Sequence, residues 1–316
     1  MRAPGPDAGG ARVARRTARG DAGGGHPPRA LRGGGSVSGW AIFHYAYLQN
    51  AVLAGLLGGA ACAVVGVFVV TMHLSFLGVG IAHAAFAGAL FSLLVGAPPL
   101  FGALLFGLVT AAAVGPLADR AEFGPDTATG ILFSLMMGLA FLFLGLTPGA
   151  KTEALGLFWG SILTLTRGDV LVLAGVAGVL AAFLLLFYKE IQAVVCHRQV
   201  ARAVGIPAAA VTYGILLVTG LVIAAALPGV GGLLVYTLVI NPAAAAHQLT
   251  WRFRSMLLLA AVFGVLSCWT GLALSWMFNL PAGAVIVLVS TAVFAAAAVF
   301  SPKRKAARWT EKNAAA

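Results

Sequence analysis

Charge is what this sequence lacks most. Asp, Glu, Lys and Arg make up 9% of its 316 residues, where a soluble domain carries about 25% because its surface must be wetted. A chain so poor in charge cannot cover a water-facing surface. With 60% apolar residues and a mean hydropathy of +0.98, it reads as a protein whose solvent is lipid. Cysteine is sparse as well. Cys62, Cys196 and Cys268 stand singly, without a CxxC or CxxCH motif, which excludes a disulfide framework and a structural zinc site. Cys62 and Cys268 lie in apolar runs and read as small packing residues.

Acid is scarcer than base. All nine carboxylates fall outside the apolar runs or at their ends, so no buried acid is available for proton coupling. That argues against a proton-driven secondary transporter. HExxH, GxSxG and paired-carboxylate motifs are absent, so no catalytic constellation marks an enzyme. One stretch, Gly145-Leu146-Thr147-Pro148-Gly149-Ala150-Lys151-Thr152, imitates a phosphate loop. Ala150 stands where the second glycine is needed, and an apolar helix precedes it instead of a strand, so it is no nucleotide site.

What is present is a series of apolar runs, each near the ~20 residues that cross a bilayer. They are Leu48–Thr71, Ser75–Val95, Pro98–Leu117, Gly130–Leu146, Val170–Phe187, Val211–Leu227, Gly232–Leu249, Ser255–Phe278 and Pro281–Phe300. The expected fold is all-α, a polytopic membrane protein with about nine transmembrane helices. Leu155–Thr164 is apolar but too short to span, and reads as a re-entrant or interfacial piece. Three compartments follow: a basic Gly/Ala/Arg-rich tail over 1–38, a transmembrane domain over 39–302 and a basic tail over 303–316.

The net charge of +11 is no sign of nucleic-acid binding, because its cations flank apolar spans. Lys189–Arg202, Trp251–Arg254 and Lys303–Lys312 hold three, two and five basic residues, and Arg120 adds one. The positive-inside rule makes these segments cytoplasmic, with the C-terminus inside and Lys151–Arg167 outside. Nine spans would then place seven arginines of residues 1–38 outside. Translocating them is unfavourable, and the tail has no apolar core for a signal peptide. It is expected to be disordered, and the mature chain to begin near Val37.

Polar groups at membrane depth are the candidate pathway. His83 lies within the second span, beside a small-residue stripe of Gly80, Ala84 and Gly88. It can be a histidine bonded across a helix interface, or a neutral imidazole ligating a passing metal ion. Gly231 and Gly232 follow Pro228 between two spans, and Asn241-Pro242 is expected to interrupt the next helix. Broken helices free carbonyls that must line a cavity or find protein partners, and such carbonyls with the Asn241 amide suit a cation. The bland reading is a turn plus a packing kink. Between the spans, Glu190–Pro207 reads as a short amphipathic helix. Val200 and Val204 share one face, with Ala201 and Gly205 beside them and Arg198 and Arg202 as a neighbouring stripe.

Four stretches, in this order, resemble the membrane permeases of bacterial ABC importers for zinc, manganese or iron. Leu74-Ser75-Phe76-Leu77-Gly78 followed by His83-Ala84-Ala85 looks like the family's second-span motif. Asp126–Ser134 resembles the start of its fourth span, Gly160-Ser161-Ile162-Leu163 an internal element, and Val239–Ala246 a proline-alanine-rich run. The resemblance implies a type II importer-like permease, acting as a homodimer with ABC ATPase subunits and an extracytoplasmic metal-binding protein. It implies a bacterial or archaeal cell membrane, no resident cofactor, and a divalent metal ion as cargo. It also implies that Ala201 and Gly205 mark the ATPase-coupling helix. Two departures stand out: Val79 where the family has an aspartate one turn before the histidine, and His197 where it tends to have aspartate. A permease for a metal chelate or cobalamin would share the broad fold without needing a histidine at depth. A non-transporting scaffold would have no partner ATPase.

The orientation has a direct test. A cysteine placed at Thr152 should react with a membrane-impermeant thiol reagent in intact cells, and one at Ala306 should not. The opposite pattern would invert the topology.

Overall fold

The computed structural model of the chain describes residues 46–121, 124–147, 162 and 165–303. Every regular element in them is a helix. In chain order these are α1 (Ala46–Thr71), α2 (Leu77–Val95), α3 (Pro99–Ala121), α4 (Pro125–Leu146) and α5 (Arg167–Leu186). There follow α6 (Tyr188–Ala203), α7 (Ala208–Val230), α8 (Gly232–Leu249), α9 (Phe253–Phe278) and α10 (Ala282–Val299). Among the described residues, eight helices are long and apolar enough to cross a bilayer, all except α6 and α8. Helix α8 has the length, at 18 residues, but carries Asn241, Pro242, His247 and Gln248. It packs against α1, α2, α7, α9 and α10, so it is shielded from lipid by protein and need not be apolar throughout. Of the nine expected spans, eight are such helices among the described residues; the ninth, Gly232–Leu249, is the more polar inner helix α8 and is not one of them.

The arrangement follows from which faces lack lipid-facing bulk. In α1 and α7, 67% of the spanning window is buried inside the chain, against 17% in α4. Helices α1, α7 and α8 form the centre, α9 and α10 close one side on α1 and α8, and α4 rests on α2 and α3. Side chains such as Phe141, Leu171, Leu185 and Leu288 point outward, which suits a lipid or protein partner and not water.

Without a hydrophobic force between helices in lipid, close backbone approach through small residues has to supply the packing. A Cβ on Gly66 of α1 would overlap the Val239 carbonyl oxygen of α8. Gly88 of α2 and Gly102 of α3 face each other so closely that either Cβ would meet the other's carbonyl. The stripe of Gly80, Ala84 and Gly88 thus serves two neighbours, since Gly80 abuts Thr129 of α4.

Exposed helix ends are satisfied across elements, as a lipid environment demands. The Gly102 N–H, in the first turn of α3, donates to the buried Ser92 hydroxyl at 2.9 Å. Thr166 and Asp169 form a reciprocal capping box at the start of α5. Trp269 of α9 donates its indole N–H to the Val52 carbonyl at 3.1 Å.

The expected interruptions turn out differently. Helix α7 runs through Pro228 to Val230, and α8 runs through Asn241-Pro242 without a break. The one break in this stretch is Gly231, whose φ of 87° lies in the left-handed region open to glycine. The re-entrant piece expected at Leu155–Thr164 lies outside the described residues, apart from the buried Ile162. Both basic tails also lie outside them, except Lys303.

Gly66 and Gly138 make a matched pair for testing the packing. Gly66→Ala should lower the thermal midpoint of the detergent-purified protein, by overpacking of about 1–3 kcal/mol. Gly138→Ala, whose Cβ would meet nothing within 4 Å, should not. Equal midpoints for the two variants would show that α1 and α8 are not locked at this contact.

Candidate ion pathway and coupling surface

His83 is the seventh residue of α2, roughly 9 Å along the helix from its start at 1.5 Å per residue. Its side chain is half-buried. Nδ1 lies 2.9 Å from the Val79 carbonyl oxygen one turn back. A carbonyl only accepts, so Nδ1 carries a proton, and in a neutral ring the lone pair then sits on Nε2. That tautomer is the one a metal ion uses when the other nitrogen is tied to a carbonyl. The ring stands edge-on to Phe133 of α4, with centroids 5.0 Å apart and planes at 78°. His83 also borders a small gap of about 10 Å³ with Ala82, Phe86, Leu227 and Gly232. This is roughly the space one water needs, and it lies at the joint between α7 and α8.

The joint is built by Gly231. Its N–H donates to the Leu227 carbonyl at 2.8 Å, and its own carbonyl accepts from Val235 at 3.0 Å, so one residue ends α7 and starts α8. Gly232 opens α8 in ordinary contact with Leu227. The prolines free carbonyls without breaking either helix. Pro228 has no N–H for the Ala224 carbonyl, and Pro242 none for the Leu238 carbonyl. Pro242 is buried inside α8, so the break assigned to it is corrected to a missing hydrogen bond within a continuous helix.

Asn241 does not join His83. Its Nδ2 donates to the Thr291 hydroxyl of α10 at 3.0 Å, and Thr291 donates in turn to the Val287 carbonyl at 2.8 Å. Nine residues of α8, about 13 Å of rise, separate it from Gly232 beside His83. Among the described residues, no three His, Cys, Asp or Glu side chains cluster so as to hold a metal ion. Among the described residues His83 is thus an imidazole at depth without a cage of further ligating side chains.

Beside the α1–α2 turn, before the start of α2, lies the coupling candidate, α6. It is kinked at His197, whose φ and ψ are −152° and 87°. The helix ends in a Schellman motif: Ile206 N–H donates to the Ala201 carbonyl at 3.0 Å and Gly205 N–H to the Arg202 carbonyl at 3.1 Å. Gly205 has φ of 85° and open space around its Cβ position, and Pro207 prevents continuation. Ala201 is 1% exposed. It therefore packs into this chain, which corrects its expected place against a partner. Val200 and Val204, at 60% and 69% exposed, form the outward apolar pair, with Arg202 also exposed. Arg198 is half-buried, and its Nε is buried without a hydrogen-bond partner.

Residues that sequence reasoning passed over collect at the same end. A cavity of about 210 Å³ lies between the α1–α2 turn, α3, α6 and α7, and His73, Asp119, Arg198 and Tyr213 reach its wall. Tyr213 donates to Asp119 at 2.8 Å. His73 takes a left-handed φ of 56° in the turn between α1 and α2, an uncommon conformation without glycine. Nothing in the local spacing of these residues signals a shared cavity, because they come from four separate elements. Phe133 was visible only as part of the Asp126–Ser134 stretch.

Known proteins share this architecture along most of the chain. Residues 44–301 match the ABC 3 transport family. The manganese transport system membrane protein MntC of Halalkalibacterium halodurans is 34% identical over 263 residues, covering 83% of this chain and 90% of that one. A probable iron transport system membrane protein of Haemophilus influenzae is 28% identical over 263 residues, covering 83% and 92%. The solved structure of PsaBC from Streptococcus pneumoniae in complex with Fab superposes with a TM-score of 0.76 at 27% identity, covering 85% of this chain and 97% of that one. The family match extends from before α1 to beyond α10, so it includes His83, the α7–α8 joint and α6. The chain is a membrane permease of the ABC 3 transport family.

Proposed function

We propose that the chain is the permease subunit of an ABC importer for a divalent metal ion, with manganese first among the ions its relatives' names suggest. The observation that carries this reading is His83, an imidazole at depth whose Nδ1–H is committed to a backbone carbonyl, the tautomer in which Nε2 is the nitrogen that can ligate. A neutral ring suits an ion that must bind and then leave. Gly231 and Gly232 place the α7–α8 joint beside it. The Ala224 and Leu238 carbonyls and the Asn241 Oδ1 are further oxygen contacts along the route. Iron and zinc stay within the same proposal, since imidazole accepts all three.

The remaining parts of the machine are external. The chain holds no nucleotide site, so an ABC ATPase subunit would supply the energy. An extracytoplasmic binding protein would deliver the ion, and two permeases would enclose the route. The basic segments put α6 and the C-terminus in the cytoplasm. There the exposed Val200 and Val204, flanked by Arg202, would dock the ATPase, and the buried Ala201 would anchor α6 to the bundle. Gly205 fixes the sharp exit from α6, and Arg198 reaches from α6 into the cavity below the α1–α2 turn.

Two substitutions test these roles. His83→Ala should cut uptake of manganese by more than about tenfold, since even outer-shell changes at metal sites cost 10–100-fold in affinity or activity. Protein amount and thermal midpoint should be unchanged. His83→Gln keeps a donor for the Val79 carbonyl but loses the imidazole, and should not restore uptake. Full transport by the Gln variant would make the residue structural. On α6, Val204→Glu should leave the permease in the membrane but release the ATPase on purification and abolish uptake. An ATPase that still co-purifies at wild-type stoichiometry, with uptake intact, would remove α6 from the coupling role.

A further inference from the structure

We infer that Phe133 is a positioning residue for His83, so that the seam between α2 and α4 sets the geometry with which the imidazole meets the ion. This rests on the reading of His83 as an ion ligand and adds to it a residue from another helix.

The seam is a matched register. Asp126 and Phe133 are seven residues apart on α4, and Phe76 and His83 are seven apart at α2, so each pair shares one helix face. The Phe76 N–H donates to Asp126 Oδ1 at 3.3 Å. The Phe133 ring meets Phe76 with centroids 5.3 Å apart at 76°, and meets His83 at 5.0 Å and 78°. Between these contacts, Thr129 of α4 fills the space that a Cβ on Gly80 would need. A slide by one turn would carry Thr129 from Gly80 to Phe76 or Ala84, where a Cβ stands in the way.

Helix α4 is the least buried of the spanning helices. It packs on α2 through Met136, Ala140 and Phe143, and through the ring of Phe133 that touches His83. The imidazole is constrained by the Nδ1–H bond to its own helix and by Phe133 from the neighbour. In this chain the second constraint carries more weight than usual. A ligating histidine is commonly oriented by a carboxylate, but here the bond goes to the Val79 carbonyl, and the Val79 side chain cannot accept a hydrogen bond. The edge-to-face aromatic contact with Phe133 is a further restraint on the ring's rotation. A ligand needs its orientation held to within about 0.5 Å to act well.

The test is manganese uptake by the complete transporter in cells or proteoliposomes, with the metal alone as probe. Phe133→Leu should raise KM by about tenfold, the lower end of supporting-shell effects, with maximal rate and thermal midpoint near wild type. Phe133→Tyr, which keeps the ring, should restore KM. The double variant His83→Ala, Phe133→Leu should be no worse than His83→Ala alone, because residues acting through one another are not additive. A wild-type KM for Phe133→Leu, or additive losses in the double variant, would overturn the inference. If His83→Ala is defective while Phe133→Leu is not, only the positioning role falls. If His83→Ala transports normally, the ligand reading falls, and the inference with it.

Discussion

In hydrocarbon there is no water to satisfy a peptide group, so each N–H and C=O needs a partner within the protein. Most features of this chain follow from that demand. Helices meet it along their length, and their ends meet it by reaching across, as Gly102 does to Ser92, or by a local capping box, as Thr166 and Asp169 form. The demand also makes every exception visible. Pro228 and Pro242 each leave a carbonyl without its helical donor inside the two helices that flank Gly231. These uncovered acceptors sit in α7 and α8, central helices shielded by neighbours. A polar solute could find oxygen there without exposing backbone to lipid.

The same constraint explains what could be read from the sequence. Apolar runs were legible because spanning a bilayer fixes both length and composition. Gly232–Leu249 agrees at both ends, where a glycine joint and a polar Thr250-Trp251 bound it. Helix α4 starts at Pro125 instead of Gly130. Asp126 and Thr127 look like loop residues, yet proline at the first turn with an acid beside it is a helix start. Pro242 was read as a break because proline breaks helices in water-soluble proteins. Buried among five neighbouring helices, the lost bond is tolerated and the helix continues. Gly231 was the true joint, and its φ of 87° is a property no neighbouring residue type reveals.

The site was legible in part, and the division is physical. His83 stands out because an ionisable side chain inside an apolar run costs free energy unless it does something. Phe133 does not stand out, being one of 19 phenylalanines in a chain where aromatic residues are ordinary lipid-facing and packing groups. Its contact with His83 spans 50 residues and depends on how two helices register. Ala201 was assigned outward because helical periodicity gives faces without saying which face meets the bundle. Its burial, with Val200 and Val204 exposed, reverses the assignment. The apolar pair, and not the small residue, is what α6 presents.

A single neutral ligand also bears on how tightly an ion could be held. Carboxylate oxygens are the usual partners of manganese, and imidazole is a softer donor that also suits zinc and iron. With valine at position 79, no negative charge on α2 offsets a divalent ion near His83. In a low-dielectric setting that omission costs attraction, so the ion would have to keep water or take oxygens from the chain. The gap beside His83, about 10 Å³, has room for one small particle and not a hydrated ion. An ion passing there would exchange most of its water for the imidazole and freed carbonyls in sequence. Weak, successive contacts of this kind allow release as well as capture. On the proposed reading, His83 and the two carbonyls that Pro228 and Pro242 leave without a helical donor would pass an ion on, and the grip on it would depend on how well that imidazole is held.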